Sequence, residues 1–319
     1  MMEYIILVLS LVGIVFGADF LVTGSVTIAR RFKVSDFVIG AAIIGVGTSM
    51  PEMTVSFLGA LNGNADVAIG NVVGSNIFNV FGILGLTAVF FPVTFDRQNL
   101  KFEIPFCIGV SLMLALLSFN FFNGTGQCIG RIDGLLLLVT FAIFMVMSFY
   151  KDKKTKPQET KPETQEQPAG PIWLALVKVI GGLAVLVFSC DVFVDNAVLI
   201  AKSFGVNDAF ISLTLIACGT SLPELAASIA AAVKKNTSMA LGNIVGSNIF
   251  NIALILGLCS QVMPLTSTGI GIIDFMVMIA AVLVLYVFGK DCRINRWEGA
   301  CLFMCFVAYN WYLISNQMI

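Results

Sequence analysis

The chain of 319 residues contains no histidine, no C-x-x-C pair and few charges. Without histidine it lacks the side chain most often used as a physiological-pH switch and the commonest ligand of transition metals, so zinc and haem chemistry are not expected. Most of its eight cysteines lie within or beside apolar runs, where a thiol behaves as a small hydrophobic group. We therefore expect no cofactor and assign the cysteines a structural role.

Charged residues make up only 12% of the chain, whereas 58% of its residues are apolar. So few charges cannot cover a soluble globule of this size. Apolar runs of about 20 residues recur nearly end to end, and this is the length of helix that crosses a hydrocarbon core about 30 Å thick. Met1 to Tyr4 lack the basic region of a cleaved signal peptide, so we expect the first span to be retained. The composition predicts an all-α membrane protein.

The apolar runs predict ten transmembrane helices. They lie at approximately 4–28, 35–60, 66–91, 101–120 and 132–150, and at 172–200, 208–232, 238–263, 270–289 and 298–315. Residues 151–171 are rich in Lys, Glu, Gln, Thr and Pro, a composition that predicts a disordered polar linker on the cytoplasmic side. This linker separates a first half, residues 1–150, from a second half, residues 172–319, with five spans in each.

Two polar motifs occur once in each half, with a constant offset of 172 residues. Gly47-Thr-Ser-Met-Pro-Glu52 returns as Gly219-Thr-Ser-Leu-Pro-Glu224, and Gly70-Asn-Val-Val-Gly-Ser-Asn-Ile-Phe-Asn79 returns as Gly242-Asn-Ile-Val-Gly-Ser-Asn-Ile-Phe-Asn251. The two halves are therefore internal repeats, with the matched motifs inside residues 38–91 and 210–263. Because five is an odd number of spans, the second half must enter the membrane from the opposite side. This gives the inverted-topology repeat typical of secondary transporters.

The basic residues predict the orientation. The first, third, fifth, seventh and ninth loops hold 15 of the 18 Lys and Arg residues, whereas the other side holds Arg131 and Lys202. Since cytoplasmic loops collect basic residues, the odd-numbered loops are predicted to be cytoplasmic and both termini extracytoplasmic. We expect a multi-pass protein of the cytoplasmic membrane whose partners are the lipid bilayer and transported cations. No nucleic-acid partner and no obligate protein partner are expected.

The first motif places a helix break and a carboxylate within an apolar span. Pro51 cannot donate a backbone hydrogen bond, and Gly45 and Gly47 loosen the turn before it, so the second helix should kink or unwind there. Irregular backbone at this depth is tolerated only where it faces protein or a polar cavity. The residues of each motif at i, i+3, i+4 and i+7 share one helical face: Gly45, Thr48, Ser49 and Glu52 in the first repeat, and Ala217, Thr220, Ser221 and Glu224 in the second.

The second motif adds hydroxyl and amide oxygens through the pairs Ser75 with Asn79 and Ser247 with Asn251. Inversion brings the four helices together near the midplane, so Glu52 and Glu224 should face one another. All of these donors are hard oxygens, which suit calcium, sodium or magnesium, and many flexible ligands favour calcium over magnesium. A charge at membrane depth costs at least about 2.5 to 3.5 kcal/mol on insertion scales, so two buried glutamates indicate a function. Together they balance one calcium ion.

Other polar residues of the spans are given structural roles. Asn76 and Asn248 lie three residues before the amides of the predicted site and off its face, which favours interhelical hydrogen bonding. Asp19 and Asp191 are interpreted as polar anchors. The glycines of the second motif could also serve close helix packing.

At these residues the chain resembles the cation/calcium exchanger superfamily, and within it the prokaryotic sodium/calcium exchangers, whose repeats carry G-T-S-x-P-E and G-N-x-x-G-S-N signatures. The resemblance covers essentially all ten spans. It implies secondary active antiport of calcium against sodium by alternating access, with the second, third, seventh and eighth spans forming the site. The implied ligands are ten side chains and two main-chain carbonyls: Thr48, Ser49, Glu52, Ser75, Asn79, Thr220, Ser221, Glu224, Ser247 and Asn251, with the carbonyls of Gly45 and Ala217.

One departure and two alternatives accompany this resemblance. Potassium-dependent members resemble a pattern with Asp at both positions that Asn79 and Asn251 occupy here, and prokaryotic sodium/calcium exchangers often have Asp at the second. The two amides argue against potassium co-transport and leave only two titratable groups. Proton/calcium exchange stays open, because facing carboxylates could bind protons, and so does a passive cation channel. An intramembrane hydrolase is disfavoured, because nothing nearby would activate Ser49 or Ser221, so no enzyme is predicted.

Overall fold

The computed structural model describes residues 2–119, 128–154, 171–204, 217–266 and 269–317. In the first half its elements are almost all helical, with π-helical turns at Gly40–Gly45, Phe78–Leu84 and Asn99–Glu103. The helices and strands are α1 Met2–Phe32, α2 Asp36–Ile39, α3 Val46–Thr48, α4 Met50–Leu61, α5 Ala65–Ile77, α6 Gly85–Phe90, β1 Val93–Thr94, α7 Ile104–Ser118, β2 Cys128–Ile129 and α8 Arg131–Lys154.

The described helices and strands of the second half follow an order similar to that of the first. This half includes a π-helical turn at Phe250–Ile255 and a short 3-10 helix at Gly289–Asp291. Its helices and strands are α9 Ile172–Ser203, α10 Ala217–Gly219, α11 Leu222–Val233, α12 Thr237–Ile249, α13 Leu256–Val262, β3 Leu265–Thr266, α14 Ile272–Phe288, β4 Arg293–Ile294 and α15 Arg296–Gln317.

Within the described residues, seven helices are long and apolar enough to cross a membrane, and a bent pair, Asp36–Thr48 with Met50–Leu61, makes an eighth if it counts as one span. The predicted seventh span is described only from Ala217 onward, and the predicted tenth lies within the 22-residue helix α15. The fifth span is longer than predicted, since α8 continues to Lys154. The rest of the predicted linker, up to Gly170, lies outside the described residues.

The helices of the two halves interleave. The long helices α1 and α9 pack along one another, and a Cβ added at Gly17 of α1 would lie 2.6 Å from the backbone nitrogen of Leu186. The end of the third span packs on α15, where a Cβ at Gly85 would lie 3.0 Å from the carbonyl oxygen of Gly299. The matching contact joins α13 to α8 with nearly the same geometry. Each half therefore completes its packing with helices of the other.

The connecting segments meet in two separate sets. The two-residue strands pair antiparallel as β1 with β4 and β2 with β3, which joins the third loop to the ninth and the fourth to the eighth. In the first loop, the Ser35 amide donates to Asp152 Oδ2 at the end of α8, at 3.0 Å. Near the second and eighth loops, the Gly269 amide donates to Asp66 Oδ1, also at 3.0 Å. In these contacts, odd-numbered loops of the predicted topology meet odd-numbered loops and even meet even, as we expect if the spans alternate in direction.

Candidate ion-binding site

The predicted kink in the second span is confirmed. Helices α3 and α4 meet at Ser49 with a bend of 48°. Pro51 lies in the first turn of α4, where its missing N–H has no intrahelical partner to lose. Glu52 lies in the same turn, at the helix end that favours negative charge. The second repeat has the same arrangement, with Ser221 preceding α11 and Glu224 in its first turn.

The two breaks hold one another's glutamates. Ser49 Oγ donates to Glu224 Oε1 at 2.8 Å, and Ser221 Oγ donates to Glu52 Oε1 at 2.6 Å. Both carboxylates are fully buried, and the second oxygen of each, Oε2, has no hydrogen-bond partner. The predicted meeting of the two glutamates is therefore present, and each break orients the carboxylate of the other while one oxygen stays available.

Four asparagines join the third and eighth spans and fix the direction of the site amides. Asn76 Nδ2 donates to the Asn248 carbonyl at 3.2 Å, and Asn248 Nδ2 donates to the Asn76 carbonyl at 3.3 Å. Asn79 Nδ2 donates to Asn248 Oδ1, and Asn251 Nδ2 donates to Asn76 Oδ1. This confirms the predicted interhelical role of Asn76 and Asn248. It also leaves Oδ1 of both Asn79 and Asn251 buried and without a partner.

Two further asparagines support the glutamates, and the sequence analysis missed them. Asn71 Nδ2 donates to the Glu52 carbonyl at 3.1 Å and to Ser56 Oγ at 2.9 Å. Asn243 Nδ2 makes the matching bonds to the Glu224 carbonyl and to Ser228 Oγ, at 3.2 and 2.9 Å. Each ties the first turn of the helix that carries the glutamate to the neighbouring span. Their presence in both copies of the second motif was the signal that could have identified them.

Oxygens without partners concentrate at the predicted ligands. Twelve buried side-chain oxygen atoms of the described residues lack a hydrogen bond, and six of them belong to the predicted set. These six are Glu52 Oε2, Ser75 Oγ, Asn79 Oδ1, Thr220 Oγ1, Glu224 Oε2 and Asn251 Oδ1. A buried polar atom without a partner is costly, so six such atoms on the predicted ligands support a ligand that completes their coordination.

Most of the remaining predicted ligands have hydrogen-bond partners within the protein. Thr48 Oγ1 donates to the Ile44 carbonyl at 3.0 Å and lies 3.2 Å from Asn243 Oδ1. Ser247 Oγ donates to the Gly45 carbonyl at 3.2 Å, and that carbonyl also accepts the amide of Ser49. Ala217 begins α10.

The glycines of the second motif serve close packing in the second repeat. A Cβ at Gly242 would lie 2.2 Å from the Phe37 carbonyl oxygen, and one at Gly246 would lie 2.5 Å from Ala41 Cα. Helix α12 is thus pressed against α2 and the π-helical turn that follows it. In this close contact, α12 packs directly on the part of the second span that precedes its break.

An open cavity of about 420 Å³ lies beside the first break, between the second span and α9. Gly47 and Met50 line it from the second span, and α9 supplies most of the remaining wall. Asp191, interpreted from the sequence as a polar anchor, lies at this wall and is the single charged group among the lining residues.

The chemistry of this arrangement is that of a site for hard cations. Two carboxylates supply the formal charge, and no group of three or more His, Cys, Asp or Glu residues suited to a metal occurs in the part of the chain that the structure describes. Any further ligands must then be hydroxyl, amide or main-chain oxygens, a set that suits calcium and sodium and not softer metals.

Comparison with known proteins gives full-length matches. The model of the sodium/calcium exchanger protein family matches residues 2–150 and 174–315. The putative antiporter CaxA of Alkalimonas amylolytica is 39% identical, with 98% of each chain covered. The sodium/calcium exchanger MaX1 of Methanosarcina acetivorans is 31% identical over 96% of this chain and 97% of its own. A solved structure of the sodium-calcium exchanger NCX_Mj superposes with a TM-score of 0.83 at 32% identity, covering 98% of both chains.

Proposed function

Because the chain belongs to the sodium/calcium exchanger protein family, we propose that it exchanges sodium for calcium across the membrane by alternating access. The observation that carries this proposal is the reciprocal pair of serine–glutamate bonds, which brings two buried carboxylates together with one free oxygen on each. The family is one of transporters, and we propose no enzymatic step.

The transported ions are proposed to compete for one central site. Its ligands are the ten side chains expected from the resemblance, with the carbonyls of Gly45 and Ala217. Glu52 and Glu224 limit the charge of the site to −2, which one calcium ion neutralises and three sodium ions would exceed by one. A site of this charge is costly to bury without a cation. Occupation by either ion therefore permits the change of access, and the unoccupied site resists it.

The proposed framework is ten membrane-spanning helices in two inverted repeats, residues 1–150 and 172–319, joined by a cytoplasmic linker. Its support is the separation of odd-numbered from even-numbered loops together with the basic residues of the odd set. Both termini are then extracytoplasmic in the cytoplasmic membrane. A reporter fused after Ile319 that reads as cytoplasmic would contradict this orientation.

The function is tested by calcium flux into vesicles that contain the purified protein. Sodium, potassium and proton gradients are imposed one at a time, with calcium held equal on both sides at the start. We expect an outward sodium gradient to drive calcium inward, and potassium to have no effect because both site amides are asparagines. Vesicles without protein and sodium-loaded vesicles without a gradient are the controls.

Other outcomes of the same experiment point to the alternatives. Calcium uptake driven by the proton gradient and indifferent to sodium would identify a proton/calcium exchanger on the same carboxylates. If none of the three imposed gradients moves calcium, and calcium crosses only when a calcium gradient is imposed in a further arm, the protein would be a channel. Either result would overturn sodium-coupled antiport.

A further inference from the structure

An ion pair ties α1 to α11 on the side of the odd-numbered loops. Lys234 terminates α11, and its Nζ lies 2.7 Å from Asp19 Oδ1 in α1. The same nitrogen donates to the Asp19 main-chain carbonyl at 3.1 Å and to Thr23 Oγ1. One ammonium group thus engages three oxygens of a neighbouring helix. Asp19, a predicted polar anchor, is anchored here to the helix that carries Glu224.

The matching positions of the other repeat cannot form this pair. At the offset of 172 residues, Asn62 corresponds to Lys234, Asp191 to Asp19, and Asp195 to Thr23. Asn62 terminates α4 as Lys234 terminates α11. Asp195 adds a second carboxylate beside Asp191 in this equivalent position, called here the mirror position. Asn62 supplies an amide where Lys234 supplies a cation.

The packing of the two long helices, α1 and α9, is also unequal. Helix α11 lies along α1, whereas α4 makes at most slight contact with α9. On that second side the cavity of about 420 Å³ opens between α9 and the break, with Asp191 in its wall. The ion pair therefore stands where the long helices are closed against the site helices, and its mirror position stands where they are apart.

We propose that Asp19 and Lys234 form a one-sided latch, which stabilises the state closed at the end of the odd-numbered loops. The inference rests on the alternating access proposed above. When inverted repeats exchange their conformations, the contact of α1 with α11 is replaced by a contact of α9 with α4. In that second state Asn62 meets two aspartates without a cation. The two states are thus unequal, and the sequence difference between Lys234 and Asn62 sets the bias.

The expected effect is modest. The two side chains are 30% and 50% exposed, so water screens the pair and its loss should change the ratio of the two states by about two- to fivefold. A ligand binds with an apparent affinity reduced by the fraction of protein in the competent state. The latch should therefore appear as opposite changes in calcium affinity at the two faces.

The experiment compares three variants with the wild type in oriented vesicles. Lys234→Asn places at the latch the residue found at the mirror position, Asn62→Lys supplies the missing cation on the other side, and Lys234→Arg retains the charge. The half-saturating calcium concentration is measured from each face. We expect Lys234→Asn and Asn62→Lys both to lower it at the face of the odd-numbered loops and to raise it at the other. Lys234→Arg should resemble the wild type.

Hydrogen–deuterium exchange of the solubilised protein tests the same bias without transport. Lys234→Asn should raise exchange in α2 and the first turns of α12, and lower it at the facing ends of α4 and α9. Faster exchange confined to residues 230–236 would mean that Lys234 has only a local role and would overturn the latch, as would an unchanged affinity ratio. If the wild type shows no sodium-driven calcium transport, the proposed function is wrong. The hydrogen–deuterium exchange pattern would then be the test of the latch.

Discussion

Thr48 and Thr220 occupy equivalent positions in identical Gly-Thr-Ser motifs, yet the structure treats them differently. Thr48 is bonded to the Ile44 carbonyl, whereas Thr220 Oγ1 has no partner. Ser247 is bonded to the Gly45 carbonyl, and its equivalent Ser75 is free of hydrogen bonds. The four hydroxyl residues are the same in the two repeats, so we expect this asymmetry to reflect the conformational state and to reverse when access alternates. The difference between Lys234 and Asn62 is encoded in the sequence, and it persists in both states.

The largest effect is expected when one of the two carboxylates is removed, which tests whether the two repeats contribute equally to the site. Glu52→Gln and Glu224→Gln should each reduce sodium-driven calcium uptake by roughly a hundredfold or more, because loss of one charge leaves a site that cannot balance calcium. The reciprocal bonds predict equal losses. Uptake into sodium-loaded vesicles is the measurement.

Glu103→Gln is the matched control for these two variants. Glu103 is also fully buried, and it lies at the start of the fourth span, outside the predicted site. It should retain uptake near the wild-type value. Near-normal uptake by either site variant would contradict the central-site model. A loss of uptake in the control alone would mean that Glu103, and not Glu52 or Glu224, carries the essential charge.

The serines that hold the carboxylates provide the next test. Ser49→Ala and Ser221→Ala each remove a hydroxyl that donates to the glutamate of the other repeat. A hydrogen bond to a charged group contributes about 1.5 to 3 kcal/mol, so the half-saturating calcium concentration should rise by roughly tenfold or more in each. Effects of the two substitutions that differ by more than a few fold would show that the cross-repeat bonds are not equivalent in the working cycle.

Equivalent glycines of the second motif should respond unequally. A Cβ at Gly242 would meet the Phe37 carbonyl oxygen at 2.2 Å, whereas one at Gly70 would meet the terminal methyl carbon of Ile270 at 3.1 Å. Backbone cannot move aside as a side chain can, so Gly242→Ala should cost about 1 to 3 kcal/mol and Gly70→Ala much less. Thermal unfolding in detergent measures the difference in stability between the two variants. Equal melting temperatures would contradict the close contact of α12 with α2.

The smallest effects are expected at the two threonines. Thr48→Val removes a hydroxyl with a protein partner, so it should lower the free energy of unfolding by about 1 kcal/mol. Thr220→Val removes a hydroxyl without one, so stability should be kept while calcium binds less tightly. Denaturation and calcium titration of the same two preparations separate these outcomes. A stability loss confined to Thr220→Val would mean that the Thr220 hydroxyl, and not that of Thr48, is the one bonded within the protein.

The repeats made much of this molecule predictable. Break, carboxylate and serine lie within six residues of one another in each first motif, so local spacing and duplication are enough to predict their meeting. Asn71 was overlooked because its bonds to Glu52 and Ser56 depend on the packing of two spans, which no single helical face reveals. The two-residue strands are too short for an alternating pattern. The contrast between Thr48 and Thr220 could not be predicted, because the Gly-Thr-Ser motif is the same in both repeats and the bonds of the two hydroxyls depend on local backbone and neighbouring spans.

The interleaving of the two halves has a consequence for the chain as a polypeptide. Both strand pairs join one half to the other, and so do the contacts of α1 with α9 and of Gly85 with Gly299. Neither half can bury its own surfaces alone, and each presents the surface that the other requires. The covalent connection through residues 155–170 is therefore not what holds the halves together. Two separately encoded fragments, residues 1–154 and 171–319, carry the complementary faces of one transporter and should assemble as partners when synthesised in the same cell.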